Sequence, residues 1–265
     1  AASAQSSVQL YGIADVWFGS TETGVGAAKL KQICLSDGGV SNSRFGLKGS
    51  EDLGGGLKAI FTLEQGFSLD TGAQATAGQA FSREATVGLQ GNFGTVKLGK
   101  QFNAFDDVSG AAATVFDSDL APINNVFASG AFASTDANTV KYLSPSFSGF
   151  SGSASYSFGE NKTATVDATN SYSLAGQYAN GPVAAGLGYA VKDSAAGEDK
   201  ATRLNGSYNF GSFKLLAGYG KVKAADVTEY SIGADVPVAA NLTLSGGYAS
   251  SKDNTSGVRA SGFNI

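Results

Sequence analysis

The sequence predicts an all-β protein, an antiparallel up-and-down β-barrel that crosses a membrane with about fourteen strands. Periodicity is the first reason. Within residues 44–64, Phe45, Leu47, Leu57, Ala59, Phe61 and Leu63 share one face, while Arg44, Lys48, Lys58, Thr62 and Glu64 share the other. A period of two with such unlike faces means strands. Strand length is the second. The alternating runs are roughly nine to thirteen residues long, against about 9–11 for a tilted membrane strand and about five or six for a soluble one. The third is the rhythm of the connections, where a turn of a few residues alternates with a longer polar loop. Antiparallel neighbours in a barrel elaborated at one end produce that rhythm.

Composition agrees and excludes much else. Among 265 residues, 37 are Gly and 4 are Pro, 15% are charged and 11% aromatic, which fits neither a disordered linker nor a collagen repeat. No run of about 18 apolar residues exists, so no helix crosses a membrane. A net charge of −4 argues against a nucleic-acid partner. His is absent, which removes the Ser-His-Asp triad and the usual His-containing metal sites. Cys34 is alone and allows no internal disulfide and no Cys-based metal centre. It falls in a stretch read as loop, residues 21–41, as an incidental thiol. Gly54-Gly55-Gly56 joins two strands and is a turn, not a phosphate cradle. The expectation is no enzyme, no cofactor and no metal.

Taken in order, Ala2-Ser3-Ala4 has the small-x-small form of a signal-peptidase site, although no charged or apolar leader region precedes it. On that hint residues 1–4 are a signal-peptide remnant and Gln5 begins the mature protein. Residues 7–19 form the first strand, with Val8, Leu10, Val16 and Phe18 on one face and Tyr11, Ile13, Asp15 and Trp17 on the other. A buried carboxylate is costly, so the face of Asp15 should hold water or a cationic partner. Four strands fill residues 43–100, joined by tight turns at 51–56 and 91–94 and a looser loop at 68–79. Residues 102–137 are the longest irregular stretch, carrying Asp106, Asp107, Asp117, Asp119 and Asp136 among Phe105, Phe116, Phe127 and Phe132. A loop of that length in a compact domain is functional or disordered, and its interspersed aromatics favour an ordered, packed one. Nine further strands follow, at 138–146, 150–159, 169–179, 183–192, 202–210, 213–223, 228–236, 242–251 and 257–265.

Charge decides which face meets water. A lipid-facing Lys or Arg at mid-bilayer costs about 2–4 kcal/mol. Arg44, Lys48, Lys58, Glu64 and Lys97 must therefore point to water, and the apolar face to lipid or a neighbouring subunit. A soluble barrel would bury the apolar set instead, but the opposite face is too polar for a filled interior. Aromatics at strand ends, among them Phe18, Phe93, Phe147, Phe158 and Phe210, suit the girdles of a membrane barrel. Arg83 breaks the pattern. Alternation groups it with Ala85, Val87 and Leu89 on the lipid side, so a bulge or the strand's end must redirect it.

Several ordered motifs carry a resemblance. SSVQLYGIAD (6–15), SRFGLKGSEDLGGGLKAIFTLEQGF (43–67), FSREATVGLQGNFGTVKLGKQFNAFDD (81–107) and KYLSPSFSGFSGSASYSFGE (141–160) are similar to the general diffusion porins of Gram-negative bacteria, especially the betaproteobacterial branch. The resemblance implies a sixteen-stranded barrel, here a single domain over residues 5–265, exported by a cleaved signal peptide to the outer membrane. There it would be a homotrimer among outer-membrane lipid and lipopolysaccharide, passing small hydrophilic solutes and ions passively. It implies that 102–137 is the third extracellular loop, folded into the lumen as a constriction whose acids face basic residues on the opposite wall. By position in the motifs, Arg44 and Arg83 match basic eyelet residues. A further arginine of some relatives has no counterpart; Thr135 and Lys141 stand in that region. Members end in an aromatic residue, whereas Ile265 stands last here, and about two strands of the sixteen are not readable. The expectation is a missing last hairpin, with a genuine fourteen-stranded barrel as the alternative.

The candidate pore residues are thus Arg44, Arg83, Lys48, Glu64 and Lys97 on the wall and Asp106, Asp107, Asp117 and Asp119 on the loop. Lys48, Glu64 and Lys97 read as general lining, and each loop acid divides evenly between pore and solvated loop charge. A basic wall against an acidic loop predicts weak selectivity with a slight lean to anions. Two other functions stay open: a non-conducting structural or adhesive surface protein, and a substrate-specific porin of the same fold. No fixed repeat supports a solenoid.

Overall fold

The computed structural model describes residues 7–23, 29–111, 121–194 and 197–264. Residues 1–4, Asp117 and Asp119 lie outside them. The alternating runs are strands: β1 (Ser7–Ile13), β2 (Val16–Thr23), β3 (Leu30–Asp37), β4 (Arg44–Gly54), β5 (Leu57–Gly66), β6 (Glu84–Gly91), β7 (Gly94–Phe102), β8 (Thr135–Leu143), β9 (Phe150–Ser157), β10 (Ser171–Asn180), β11 (Val183–Ser194), β12 (Gly197–Asn209), β13 (Lys214–Val222), β14 (Val227–Ala239), β15 (Leu242–Asp253) and β16 (Arg259–Asn264). β1 and β4–β16 make one antiparallel sheet of 14 strands in which β4 lies beside β1 and every later strand beside its predecessor; β2 and β3 pair as a separate hairpin. The tight turn between β4 and β5 depends on glycine, since Gly54, Gly55 and Gly56 have φ of 87°, 62° and 80°, where a side chain is strained.

Two expectations are corrected here. Residues 7–19 are not one strand, because the chain breaks at Ala14–Asp15 between β1 and β2. Residues 21–41 are not a loop, because β3 occupies most of them and pairs with β2, placing Cys34 opposite Gly19. β2 continues β1 and β3 leads into β4, so the first two passes are long strands interrupted at one level. Two residues, 14–15, face six, 38–43. The alternation of β3 rests on Ile33 and Leu35 alone, too short a signal beside the flanking glycines and lysines.

Burial is inverted. Leu174, Leu187, Leu204 and Ile232 are more than half exposed, while Ser155, Ser173, Arg203, Asn205 and Glu229 are buried. The outward face carries aromatic bands at both ends of the strands. Phe147, Phe150, Tyr208 and Phe210 lie at the short-turn end; Tyr156, Phe158, Tyr172 and Tyr230 lie at the long-loop end. Apolar surface between aromatic belts is what lipid requires. The tyrosines of these bands went unnoticed in the sequence, where the phenylalanines stood out.

Residues 103–111 and 121–134 fold onto the polar face. A 3-10 turn, Asp106–Ala111, lies against β10–β12; helix α1 (Pro122–Val126) lies against β15 and β16; a second 3-10 turn, Ala128–Phe132, lies against β11–β13. Phe105, Val108, Phe127 and Phe132 are buried, in keeping with a packed loop. Glycine makes the room: a Cβ at Gly188 would stand 2.8 Å from Val108 Cγ2 and 3.0 Å from Phe105 Cδ2.

Candidate functional site

Strand register brings the charged wall together. Tyr11 on β1, Gly46 on β4, Glu64 on β5 and Glu84 on β6 are successive cross-strand partners, a row on the polar face. The Tyr11 hydroxyl donates to Glu64 Oε2 at 2.8 Å, and it reaches across because Gly46 is bare. A Cβ there would lie 2.7 Å from the Tyr11 oxygen. Arg83 Nε donates to Glu64 Oε1 at 2.6 Å, and Arg44 Nε lies 3.9 Å from Oε2. Arg83 stands one residue before β6, so the strand's end frees it from the lipid side. Its guanidinium also lies 5.1 Å from the Phe102 ring centroid, and Lys48 Nζ lies 5.1 Å from that of Tyr11. Glu64, read from sequence as general lining, is the hub on which both arginines and Tyr11 converge.

The interruption in the first two passes positions Arg44. Asp15 accepts the backbone N–H groups of Gly39, Val40 and Ser41, each at 3.0 Å. Three peptide donors, rather than a described cation, hold the Asp15 carboxylate. The segment so held supplies Ser41 Oγ and the Asn42 carbonyl, which accept from Arg44 Nη1 at 3.0 and 2.8 Å.

Further along the wall the charges cancel in pairs. Lys97 on β7 bonds Glu84, which also accepts from Thr86 Oγ1 at 2.9 Å. Lys141 on β8, directly opposite Lys97, bonds Asp107 Oδ1 at 2.7 Å and the carbonyls of Phe102 and Asn103 at 3.0 and 3.2 Å. Asp107 also accepts from Ser153 Oγ at 2.5 Å. It therefore ties the loop to the wall, while Asp106 is half-buried on the same turn.

A second tie is fully buried. Ser129 donates its N–H to Glu229 Oε1 at 3.0 Å and its hydroxyl to Oε2 at 2.5 Å. The same hydroxyl accepts from Arg203 Nη2 and Nε at 2.8 and 3.2 Å. Arg203 lies 5.3 and 5.5 Å from the ring centroids of Phe105 and Phe127. Glu84, Lys141, Arg203 and Glu229 were missed as site residues. Their one signal was an ionisable side chain at an inward-facing strand position. Among the described residues, no three His, Cys, Asp or Glu side chains gather as a metal site.

Comparison with known proteins agrees with this architecture. The family described as Gram-negative porin matches residues 1–265. Outer membrane porin protein 32 of Delftia acidovorans is 36% identical over 259 residues, covering 90% of this chain and 72% of that protein. A Bordetella pertussis outer membrane porin is 34% identical over 255 residues, covering 83% of this chain and 65% of that protein. The structure of an anion-selective porin from Comamonas acidovorans superposes with a TM-score of 0.83 at 31% identity, over 97% of this chain and 82% of that one. Read with the inverted burial, the aromatic belts and the charged inner wall, these matches show that the chain belongs to the Gram-negative porin family of the outer membrane.

Proposed function

We propose that this chain forms a water-filled channel through which small hydrophilic solutes and ions diffuse passively, with a lean to anions. The observation that carries the reading is charge left over on the polar wall. Lys97 and Lys141 are each cancelled by a carboxylate, whereas Arg44 and Arg83 share Glu64 and Lys48 pairs with no described carboxylate. Unbalanced positive charge beside a narrow aqueous path raises the local anion concentration. In this reading Arg44 and Arg83 act at the constriction, Lys48 and Lys97 line the wall, and Glu64 holds the two guanidiniums in place. Segment 102–137 narrows the lumen, with Asp107 as its tether and Asp106 as a lining acid. The barrel is one domain, works as a homotrimer, and sits among outer-membrane lipid and lipopolysaccharide. The anion-selective Comamonas porin supports the sign of the lean.

Reversal potentials in planar bilayers under a salt gradient test it. Wild type should settle on the anion side, and Arg44→Ala or Arg83→Ala should each move the value towards cations. A firm cation preference in wild type would sink the lean. Absence of conductance steps would return the non-conducting surface protein.

A further inference from the structure

We propose that the outward face of β12–β16, at the long-loop end, binds the phosphorylated headgroup of an outer-leaflet lipid. The proposal rests on the outer-membrane reading above and gives the lipid a site. Register places Lys221 on β13, Thr228 on β14, Lys252 on β15 and Arg259 on β16 in one row across four neighbouring strands, about 14 Å from end to end at ~4.8 Å per strand. The row faces outward, since alternation groups Lys221 with Tyr219 and Arg259 with Phe263, which are 46% and 78% exposed. One step nearer the loops, Lys223 donates its N–H to the Lys200 carbonyl at 2.8 Å, bringing two more cations side by side.

Two features leave most of this charge unneutralised among the described residues. Lys252 and Arg259 are direct cross-strand partners, and like charges so placed destabilise a sheet unless something neutralises them. None of Lys221, Lys223, Lys252 and Arg259 forms an ion pair with a described carboxylate, and Glu198 at this end is taken by Lys200 at 2.7 Å. Depth then identifies the missing anion. The outward pair next below the row is Tyr219 and Tyr230, directly opposite each other, and Arg259 lies 5.8 Å from the Tyr230 ring centroid and donates to its hydroxyl. Such an aromatic belt marks where hydrocarbon gives way to headgroups. Below it, Leu204 and Ile232 are more than half exposed. A lipid with several phosphates sets its head on the cations, by charge-assisted bonds, and its chains on the apolar strip. A free phosphate would use only the first.

The test titrates refolded protein in dodecyl maltoside micelles doped with diphosphoryl lipid A or with its dephosphorylated form, counting adducts by native mass spectrometry. Wild type should bind the diphosphoryl form at least tenfold more tightly. A variant with Lys221→Gln, Lys252→Gln and Arg259→Gln should lose that preference, and one with Lys58→Gln and Lys162→Gln should keep it. Equal binding of both forms by wild type, or a preference kept by the triple variant, overturns the proposal. So does displacement of the lipid by equimolar inorganic phosphate. Because Arg259 also braces Tyr230, Lys221→Gln alone is measured beside the triple variant; it should weaken the preference about threefold, and wild-type preference in it counts against the site. Conductance in planar bilayers separates this proposal from the channel reading. A triple variant that conducts like wild type while the wild type shows no phosphate preference removes the lipid site and leaves the channel standing.

Discussion

Glu64 shows how one residue governs a wall that no single position reveals. Its carboxylate takes Tyr11, Arg83 and Arg44, so Glu64→Gln keeps the shape and removes the carboxylate that the two guanidiniums share. The reversal potential should move further to the anion side, and a move towards cations would refute the arrangement. Asp15 acts one step back. Removing its three peptide contacts by Asp15→Ala should cost about 1–3 kcal/mol, read as a lower urea midpoint. It should also release Ser41 and Asn42 from Arg44, so anion preference falls although Arg44 is untouched; Asp15→Asn, which keeps one acceptor oxygen, should fall between. Unchanged selectivity in Asp15→Ala would leave Asp15 a merely structural residue. In the sequence Asp15 stood out as an odd carboxylate on a strand. Its partners did not, because peptide N–H groups leave no trace in residue identity.

At the scale of elements, the inner segment is held by chemistry that alternation cannot express. Phe105, Phe127 and Phe132 announced that residues 102–137 pack against something. What they pack against is small or aliphatic, with Phe105 over Gly188 and Phe105 and Phe132 among Ala190, Ala201, Val222 and Val227, and Gly186 and Gly188 look like any other strand glycines until Val108 and Phe105 fill the space above them. Ser129 bridges Arg203 and Glu229, both buried. Ser129→Ala leaves those two ionised groups short of a partner, at about 1–3 kcal/mol, without touching a strand. Limited proteolysis should then cut residues 103–134 several-fold faster while the strands stay resistant, and single-channel records should become noisier. Cleavage no faster than in wild type would show that the bridge does not hold the segment. The break between β1 and β2 was hidden for a related reason. Two residues facing six is an interruption set by hydrogen bonds to Asp15, and the even-numbered residues face outward on both sides of it.

For the whole molecule, the sequence carried the strand passes and the sense of each face, since both follow from a period of two that runs from β4 to β16 with few faults. The inversion of that pattern is the strongest physical statement the molecule makes, and it is open to a direct test. Leu187 is outward, near the middle of β11, and 53% exposed. Ser207 on β12 shares its inward face with Arg203 and Asn205. In lipid vesicles, Leu187→Lys should destabilise the folded barrel by about 2–4 kcal/mol, because an ammonium at that depth has neither water nor a carboxylate. Ser207→Lys adds the same charge where water reaches it and should cost less than about 1 kcal/mol. Urea unfolding in vesicles measures both. In detergent micelles, where water reaches the belt more readily, the gap between the two variants should shrink. A soluble barrel with an apolar core would give the reverse order, and equal costs in vesicles would mean that neither face meets hydrocarbon.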